Sequence, residues 1–364
     1  MGWLETYSKE IESTDTFRNR RDHLLLLAGG LIGETGSIVA EIKKIEREQS
    51  AYPDYCERVS EELGDFLWYY VRLVSIVDAR LLLDFQNSRK QAVHSKNIRS
   101  SLKLAAAVGA LIDAIRSNGP NKAAVSFRNV WTELQNVARG SGISLKEAAE
   151  ANVAKIRSRW PLKRIFHTLF DEGYPVEEKF PRRFRIRFIE RRRGNRIEIL
   201  LRSNGIGVGD RVTDNITDPD GYRYHDIFHI AYAVFLGWSP VVRALLRCKR
   251  KSKSSVDENQ DGARAQIIEE GVAAIVFSRA KKMNFFKGAK QIDYDLLKTI
   301  QTFVSGYEVD QIPIWQWELA ILEGFRLFRS LQKGPGGTVT WDIGRRTITY
   351  TRPVFAGRRK DKRR

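Results

Sequence analysis

Two carboxylate-bearing segments near the start of the chain have the residue types and spacing for metal-assisted chemistry. Gly33-Glu34-Thr35-Gly36-Ser37-Ile38-Val39-Ala40-Glu41 sets Glu34 and Glu41 seven residues apart. On a helix that spacing puts them on one face, about 10 Å apart along the axis. Glu61-Glu62-Leu63-Gly64-Asp65 sets Glu62 and Asp65 at i and i+3, also side by side. Any one of these acids alone reads as a solvated helix residue. Together they border apolar stripes, where unpaired negative charge is costly unless a cation offsets it. Two packed helices presenting such acids make an oxygen cage suited to Mg²⁺, which takes one or two carboxylates and lets substrate phosphates complete its shell. The chemistry this serves is phosphoryl transfer, in which the metal neutralises phosphate charge and orients an attacking water.

The elements that must carry these acids are helices. Leu24, Leu27 and Leu31, then Thr35, Ile38, Ile42 and Ile45, keep the spacing of a core-facing stripe. Leu63, Phe66, Leu67, Tyr70, Val71 and Val74 follow the i, i+3, i+4, i+7 pattern throughout. Ala105, Leu111, Ile112 and Ile115 mark a third helix that stops near Gly119-Pro120, and a fourth runs from Lys122 to about Val137. Ser144-Leu145-Lys146-Glu147 is a capping box opening a fifth helix, which Pro161 ends. Residues 1–165 therefore read as an all-α bundle. Beyond Pro181 the pattern changes. Phe184, Ile186 and Phe188 alternate with arginines, and Ile197, Ile199 and Leu201 follow a Gly194-Asn195 turn, a hairpin signature. Helices resume near Arg223 and end with Trp315–Leu331. Val339-Thr340-Trp341 and Thr347–Tyr350 then form a closing hairpin around Gly344. Residues 180–356 thus read as an α+β domain, and residues 357–364 as a basic tail.

At 364 residues the chain has length for about two domains. Its 42% apolar content fits a globular protein. No run approaches the roughly 20 apolar residues of a membrane span, and no signal peptide is apparent. Two cysteines, Cys56 and Cys248, make no disulfide framework and suit a reducing cytoplasm. The net charge of +18 is partly local: Gly357–Arg364 has six basic residues and one acid, and Arg182–Arg196 has eight arginines against Glu190. Such surfaces attract nucleotides, RNA or DNA, or simply keep the protein soluble.

The two acidic segments resemble the metal-binding motifs of the MazG-like family of all-α nucleoside triphosphate pyrophosphohydrolases. The family pattern is Glu-x-x-Glu on one helix and Glu-x-x-Asp on the next. A downstream helix bears Asn and basic residues. Glu61-Glu62-Leu63-Gly64-Asp65 matches the second element, and Ala151-Asn152-Val153-Ala154-Lys155-Ile156-Arg157-Ser158-Arg159-Trp160-Pro161 resembles the third. The likeness covers roughly residues 20–162. The chain departs from the pattern at Ser37, where the family has its second Glu, and Glu41 one turn on is the candidate for part of that role. The resemblance implies hydrolysis of a nucleoside triphosphate to the monophosphate and pyrophosphate with Mg²⁺, or Mn²⁺ in its place. It makes Glu34, Glu62 and Asp65 the metal ligands and Glu61 or Glu41 the residue that orients water. Asn152, Lys155 and Arg159 become the substrate contacts, and the protein a dimer or tetramer.

In the second half, Asp218-Pro219-Asp220-Gly221-Tyr222-Arg223-Tyr224-His225-Asp226-Ile227-Phe228-His229 holds two of the five histidines. His225 and His229 at i and i+4 can chelate a metal, with Asp226 adjacent and Glu269-Glu270 on a later helix to complete a site. They equally fit a pair hydrogen-bonded to those acids inside the core. This region resembles the domain found C-terminal to some MazG-like domains. Arg247-Cys248-Lys249-Arg250-Lys251-Ser252-Lys253 reads as a basic loop, either a phosphate contact or a solvated segment. Two functions follow: a Mg²⁺-dependent pyrophosphohydrolase with an accessory domain, or a nucleotide-sensing or nucleic-acid-binding protein built on a degenerate bundle.

Overall fold

The computed structural model describes residues 2–87, 98–118, 123–194 and 196–353. The expected stop at Gly119-Pro120, the helix start at Lys122, Asn195 of the hairpin turn and the basic tail 357–364 lie outside them. The chain divides into two compact units, Met1–Leu162 and Lys163–Arg364.

Among its described residues the first unit is built of helices: α1 (Trp3–Glu12), α2 (His23–Glu48), α3 (Tyr55–Asp78), α4 (Leu81–Asn87), α5 (Ile98–Asn118), α6 (Ala124–Gly140) and α7 (Leu145–Arg159). The stripe expected on α3 is its core face, since Leu63, Phe66, Leu67, Tyr70, Val71 and Val74 are all fully buried. Helix α2 lies against α3 and α5 through Leu27, Leu31, Ile38 and Ile42. Ser144 caps α7 by accepting from the Glu147 amide at 3.4 Å. Helix α1 was not foreseen; it packs Leu4, Tyr7 and Ile11 against α3 and α7. One further expectation needs correction: by length and composition alone, His23–Ala51 is long and apolar enough to cross a membrane. Core helices of globular proteins pass that test too, and the apolar stripe of α2 is packed in the bundle.

The second unit is α+β, as expected. It contains β1 (Arg183–Arg193), β2 (Arg196–Ser203), β3 (Ile206–Val212), α8 (Asp226–Leu236), α9 (Pro240–Leu246), α10 (Ser254–Asn259), α11 (Ala263–Lys282), α12 (Tyr294–Val304), α13 (Ile314–Lys333), β4 (Gly336–Asp342) and β5 (Thr347–Thr351). Both expected hairpins form and join one antiparallel sheet in the order β3-β2-β1-β4-β5, with β1 paired to β4 from Arg183↔Asp342 to Ile189↔Gly336. The third strand of the first hairpin, β3, was not foreseen. Ile186, Phe188, Ile199, Leu201, Val339 and Trp341 join the core from the sheet. At its centre is α8, buried along its whole length from Asp226 to Leu236, with α13 as its main partner. An apolar helix with no solvated face must be a core helix, so the polar groups it carries need partners.

Candidate metal centres in the two units

The acidic centre of the first unit depends on how closely α3 and α7 approach. A Cβ at Gly64 would stand 2.7 Å from the Ala148 carbonyl oxygen, so only glycine fits between the helices. That approach brings Asn152 and Lys155 of α7 to Asp65 of α3. Asn152 Nδ2 donates to Asp65 Oδ1 at 2.7 Å, and the Lys155 ammonium contacts both Asp65 oxygens and lies 3.4 Å from Glu61 Oε1. Asn152 is itself buried, and its Oδ1 accepts from the Tyr7 hydroxyl at 2.9 Å. Glu34 arrives from α2, and one carboxylate oxygen from each of Glu34, Glu62 and Asp65 lies within 4.8 Å of the others.

Like charges at that spacing resist ionisation. Burial, then the charges of Asp65 and Glu62, pushes Glu34 up to about 7, only partly countered by Lys155. Glu62 is raised by burial and by Asp65 and Glu61. Four acids, Glu34, Glu61, Glu62 and Asp65, thus gather beside Lys155, an arrangement that a divalent cation would relieve. The donor set is all oxygen and half-buried, which fits Mg²⁺ or Mn²⁺.

The remaining expected site residues have the following surroundings. Glu41 is outside the trio, with its carboxylate accepting from the Tyr52 hydroxyl. Arg159 stacks over Trp160, with its guanidinium 4.8 Å from the ring centroid. Asn152, read as a substrate contact, has its amide committed at both ends to Asp65 and Tyr7. Tyr7 was missed altogether, because the helix that carries it was not recognised.

In the second unit, Gly221 has φ 92°, a left-handed turn that favours glycine, and its amide donates to Asp214 Oδ1 at 2.6 Å. The chain then enters α8 with His225 and His229 one turn apart. His225 Nδ1 lies 3.1 Å from the Tyr222 carbonyl oxygen, and the ring stacks on Tyr222 at 4.5 Å between centroids. His229 is fully buried, with Nδ1 2.9 Å from Glu269 Oε1. Glu269, also fully buried, accepts in addition from the Ser239 hydroxyl (2.6 Å) and the Val241 amide (2.8 Å). The two Nε2 atoms face Glu270: Oε2 is 3.4 Å from His229 Nε2 and 3.9 Å from His225 Nε2. Asp226 Oδ1 is likewise 3.9 Å from His225 Nε2. Burial disfavours the charged form of both rings. For His229 the flanking Glu269 and Glu270 reverse that and raise it to about 10, whereas His225 stays below its ordinary value.

The basic loop is not a free cationic surface at its centre. Arg250 is 1% exposed, forked onto Asp261 at 2.7 and 3.0 Å and onto Glu308 at 2.6 and 2.9 Å. Arg243, also buried, donates to the Glu178 and Cys248 carbonyl oxygens and lies beside Asp171 and Asp261. Arginines of β1, by contrast, are exposed: Arg183, Arg185, Arg187, Arg191 and Arg193 alternate along one face of the strand.

No curated protein and no solved structure matches the chain. A family match covers residues 165–354, just over half the length and nearly all of the second unit, leaving the helical bundle outside it. That family is the MazG C-terminal domain, and the chain belongs to it.

Proposed function

We propose that the first unit is a Mg²⁺-dependent nucleoside triphosphate pyrophosphohydrolase. The observation that carries this is the convergence of Glu34, Glu62 and Asp65, with Glu34 forced toward protonation by its neighbours. Membership of the MazG C-terminal domain family supports it, as does the likeness of the bundle's motifs to MazG-like enzymes. Glu34, Glu62 and Asp65 would hold the ion, which when bound supplies charge neutralisation on the phosphates and a fixed direction of attack. Water oxygen bonds to the α-phosphorus as the bond to the α–β bridging oxygen breaks, and pyrophosphate leaves. Glu61, outside the convergent trio, accepts the water proton. Lys155 exchanges its acidic partners for a phosphate oxygen and steadies the charge that develops there. Asn152 holds Asp65 in position and is itself held by Tyr7. Leu25 and Ile32, 63% and 51% exposed on α2, offer apolar surface for a second copy of the chain, consistent with an oligomer.

The test is product analysis of a panel of ribo- and deoxyribonucleoside triphosphates with Mg²⁺. Monophosphate and pyrophosphate should appear from at least one, and Glu62→Gln should lose activity by on the order of 10²-fold or more, since several kcal/mol of charge stabilisation is removed. Intact nucleotides across the panel at micromolar enzyme would refute the reading.

A second reading, binding of nucleic acid or another polyanion, is favoured by the arginine face of β1. It predicts RNA or DNA affinity whose logarithm falls linearly with that of salt, with a slope reduced in Arg185→Ala/Arg187→Ala. Undetectable binding at low ionic strength would remove it.

A further inference from the structure

The second unit holds a site that the bundle's chemistry does not use. We infer that His225, His229 and Glu270 form a binding site for a first-row transition dication of the zinc class, with Glu269 as the residue that orients His229.

Four observations converge on it. First, both histidines are set in the same tautomeric sense. Nδ1 of His229 is engaged by the Glu269 carboxylate and Nδ1 of His225 by the Tyr222 carbonyl, which leaves Nε2 of each ring as the face toward Glu270. A carboxylate behind a histidine is the arrangement that fixes ring orientation and raises ligand basicity in metal sites. Second, His229 Nε2 is buried and makes no hydrogen bond. Glu270 Oε2 at 3.4 Å is close enough for an ion pair but lies outside hydrogen-bond geometry. A buried polar atom left without a hydrogen bond calls for an explanation, and an ion is one. Third, the spacing fits. Zinc–nitrogen and zinc–oxygen bonds of about 2.0–2.2 Å set ligand atoms about 3.3–3.6 Å apart in a tetrahedron. The observed 3.4 and 3.9 Å need only small side-chain adjustment. Fourth, the charge is in deficit. Glu269, Glu270 and Asp226 gather here, and among the described residues their only ion-pair partners are the two histidines.

The element logic agrees. Successive residues of α11 project about 100° apart, so Glu269 reaches inward to the start of α9 while Glu270 stands at the mouth. The Glu270 side chain is 45% exposed, which gives an ion a route in. Imidazole ligands select transition ions over Mg²⁺, so this site differs in class from the all-oxygen centre of the bundle. Asp226 Oδ1, 3.9 Å from His225 Nε2, lies beside this trio but outside the set of ligand atoms that fall within 4.8 Å of one another.

The experiment uses the full chain carrying Glu62→Gln, so that the bundle's carboxylates do not compete for the probe. Protein stripped with a chelator and desalted is titrated with Co²⁺, followed by its visible d–d absorption and by thermal melting, and then challenged with Zn²⁺. The expected result is one equivalent of Co²⁺ with bands distinct from the aqueous ion, a raised melting temperature, and displacement by Zn²⁺. Glu270→Gln, at the mouth and structurally mild, should weaken Co²⁺ binding at least tenfold while the stripped protein melts as before. Glu269→Gln should weaken it roughly 10–100-fold by loosening the orientation of the His229 ring. If Co²⁺ gives only the aqueous spectrum and no melting shift, the cluster is a histidine–glutamate core pair and the inference is overturned. Bands that persist unchanged in Glu270→Gln overturn it equally.

Discussion

Two groups of buried or half-buried carboxylates, the arginine-linked network of the second unit and the acidic cluster of the first, are handled in opposite ways. In the second unit Asp171, Asp261 and Glu308 meet Arg182, Arg243 and Arg250, so that charge is matched by charge and almost every oxygen accepts a hydrogen bond. In the first unit Glu34, Glu61, Glu62 and Asp65 share Lys155, and two of them are driven toward protonation. The matched network ties Tyr174-to-Phe180 loop backbone, α9, the basic loop and the turn before α13 into one body. Like charge gathered as in the first unit opposes folding, and a bound cation would offset it. Buried acids alone therefore say little; the sign of the local imbalance separates a structural centre from a candidate active one.

The largest effect that could break this contrast is in the matched network. Arg250→Ala strands Asp261 and Glu308 behind a buried position and should cost the second unit about 3–5 kcal/mol. Denaturant unfolding would measure it, and a cost below about 1 kcal/mol would show that water enters and the network is not buried in solution. Asn152→Ala should come next, at roughly 1–3 kcal/mol, because it leaves the Tyr7 hydroxyl and Asp65 without their shared partner. The proposed pyrophosphohydrolase activity should fall more than a purely structural change in folded fraction explains.

Glu62→Gln should behave in the opposite sense, leaving melting temperature unchanged or slightly raised in chelator, since it removes a repelling charge. A clear drop would mean that Glu62 is structural. The smallest effect is linked to pH. Glu34 has a folded-state value of about 7, above the ordinary carboxylate value of 4.5. The folded bundle therefore binds that proton more tightly than the unfolded chain. In chelator, stability from this group is fully present below the ordinary value and declines as pH rises toward and through about 7. Mg²⁺ should offset the decline, so its effect on melting temperature should be larger at about pH 8 than at about pH 5. Equal shifts at both would place the ion elsewhere.

Much of this was legible in residue spacing. The α3 stripe, the i, i+3 pair of Glu62 and Asp65 and the one-turn histidines follow from helical periodicity, and the strands of both hairpins from period-two alternation beside turn residues. What was not legible depends on partners distant in the chain. Arg250 sits in a run of basic residues and reads as a phosphate contact or a solvated segment, yet its acids are 11 and 58 positions away. Glu41 keeps the helical spacing to Glu34, but Tyr52 engages it outside the cluster. Strand β3 was missed because Ile206-Gly207-Val208-Gly209 has glycine where a strand has side chains to pack, and it pairs only along β2. Tyr7 was missed because α1 is short and mixed in polarity, so nothing local marks its reach to Asn152.

Under the proposed function, water attacks at the α-phosphorus, directed by the carboxylates of α2 and α3. This attack is tested most directly by hydrolysis in heavy-oxygen water with Mg²⁺, with the label located by mass spectrometry. The account predicts label in the monophosphate, none in pyrophosphate, and loss of both products in Asp65→Asn. Label in pyrophosphate or inorganic phosphate, or undiminished turnover by Asp65→Asn, would contradict it.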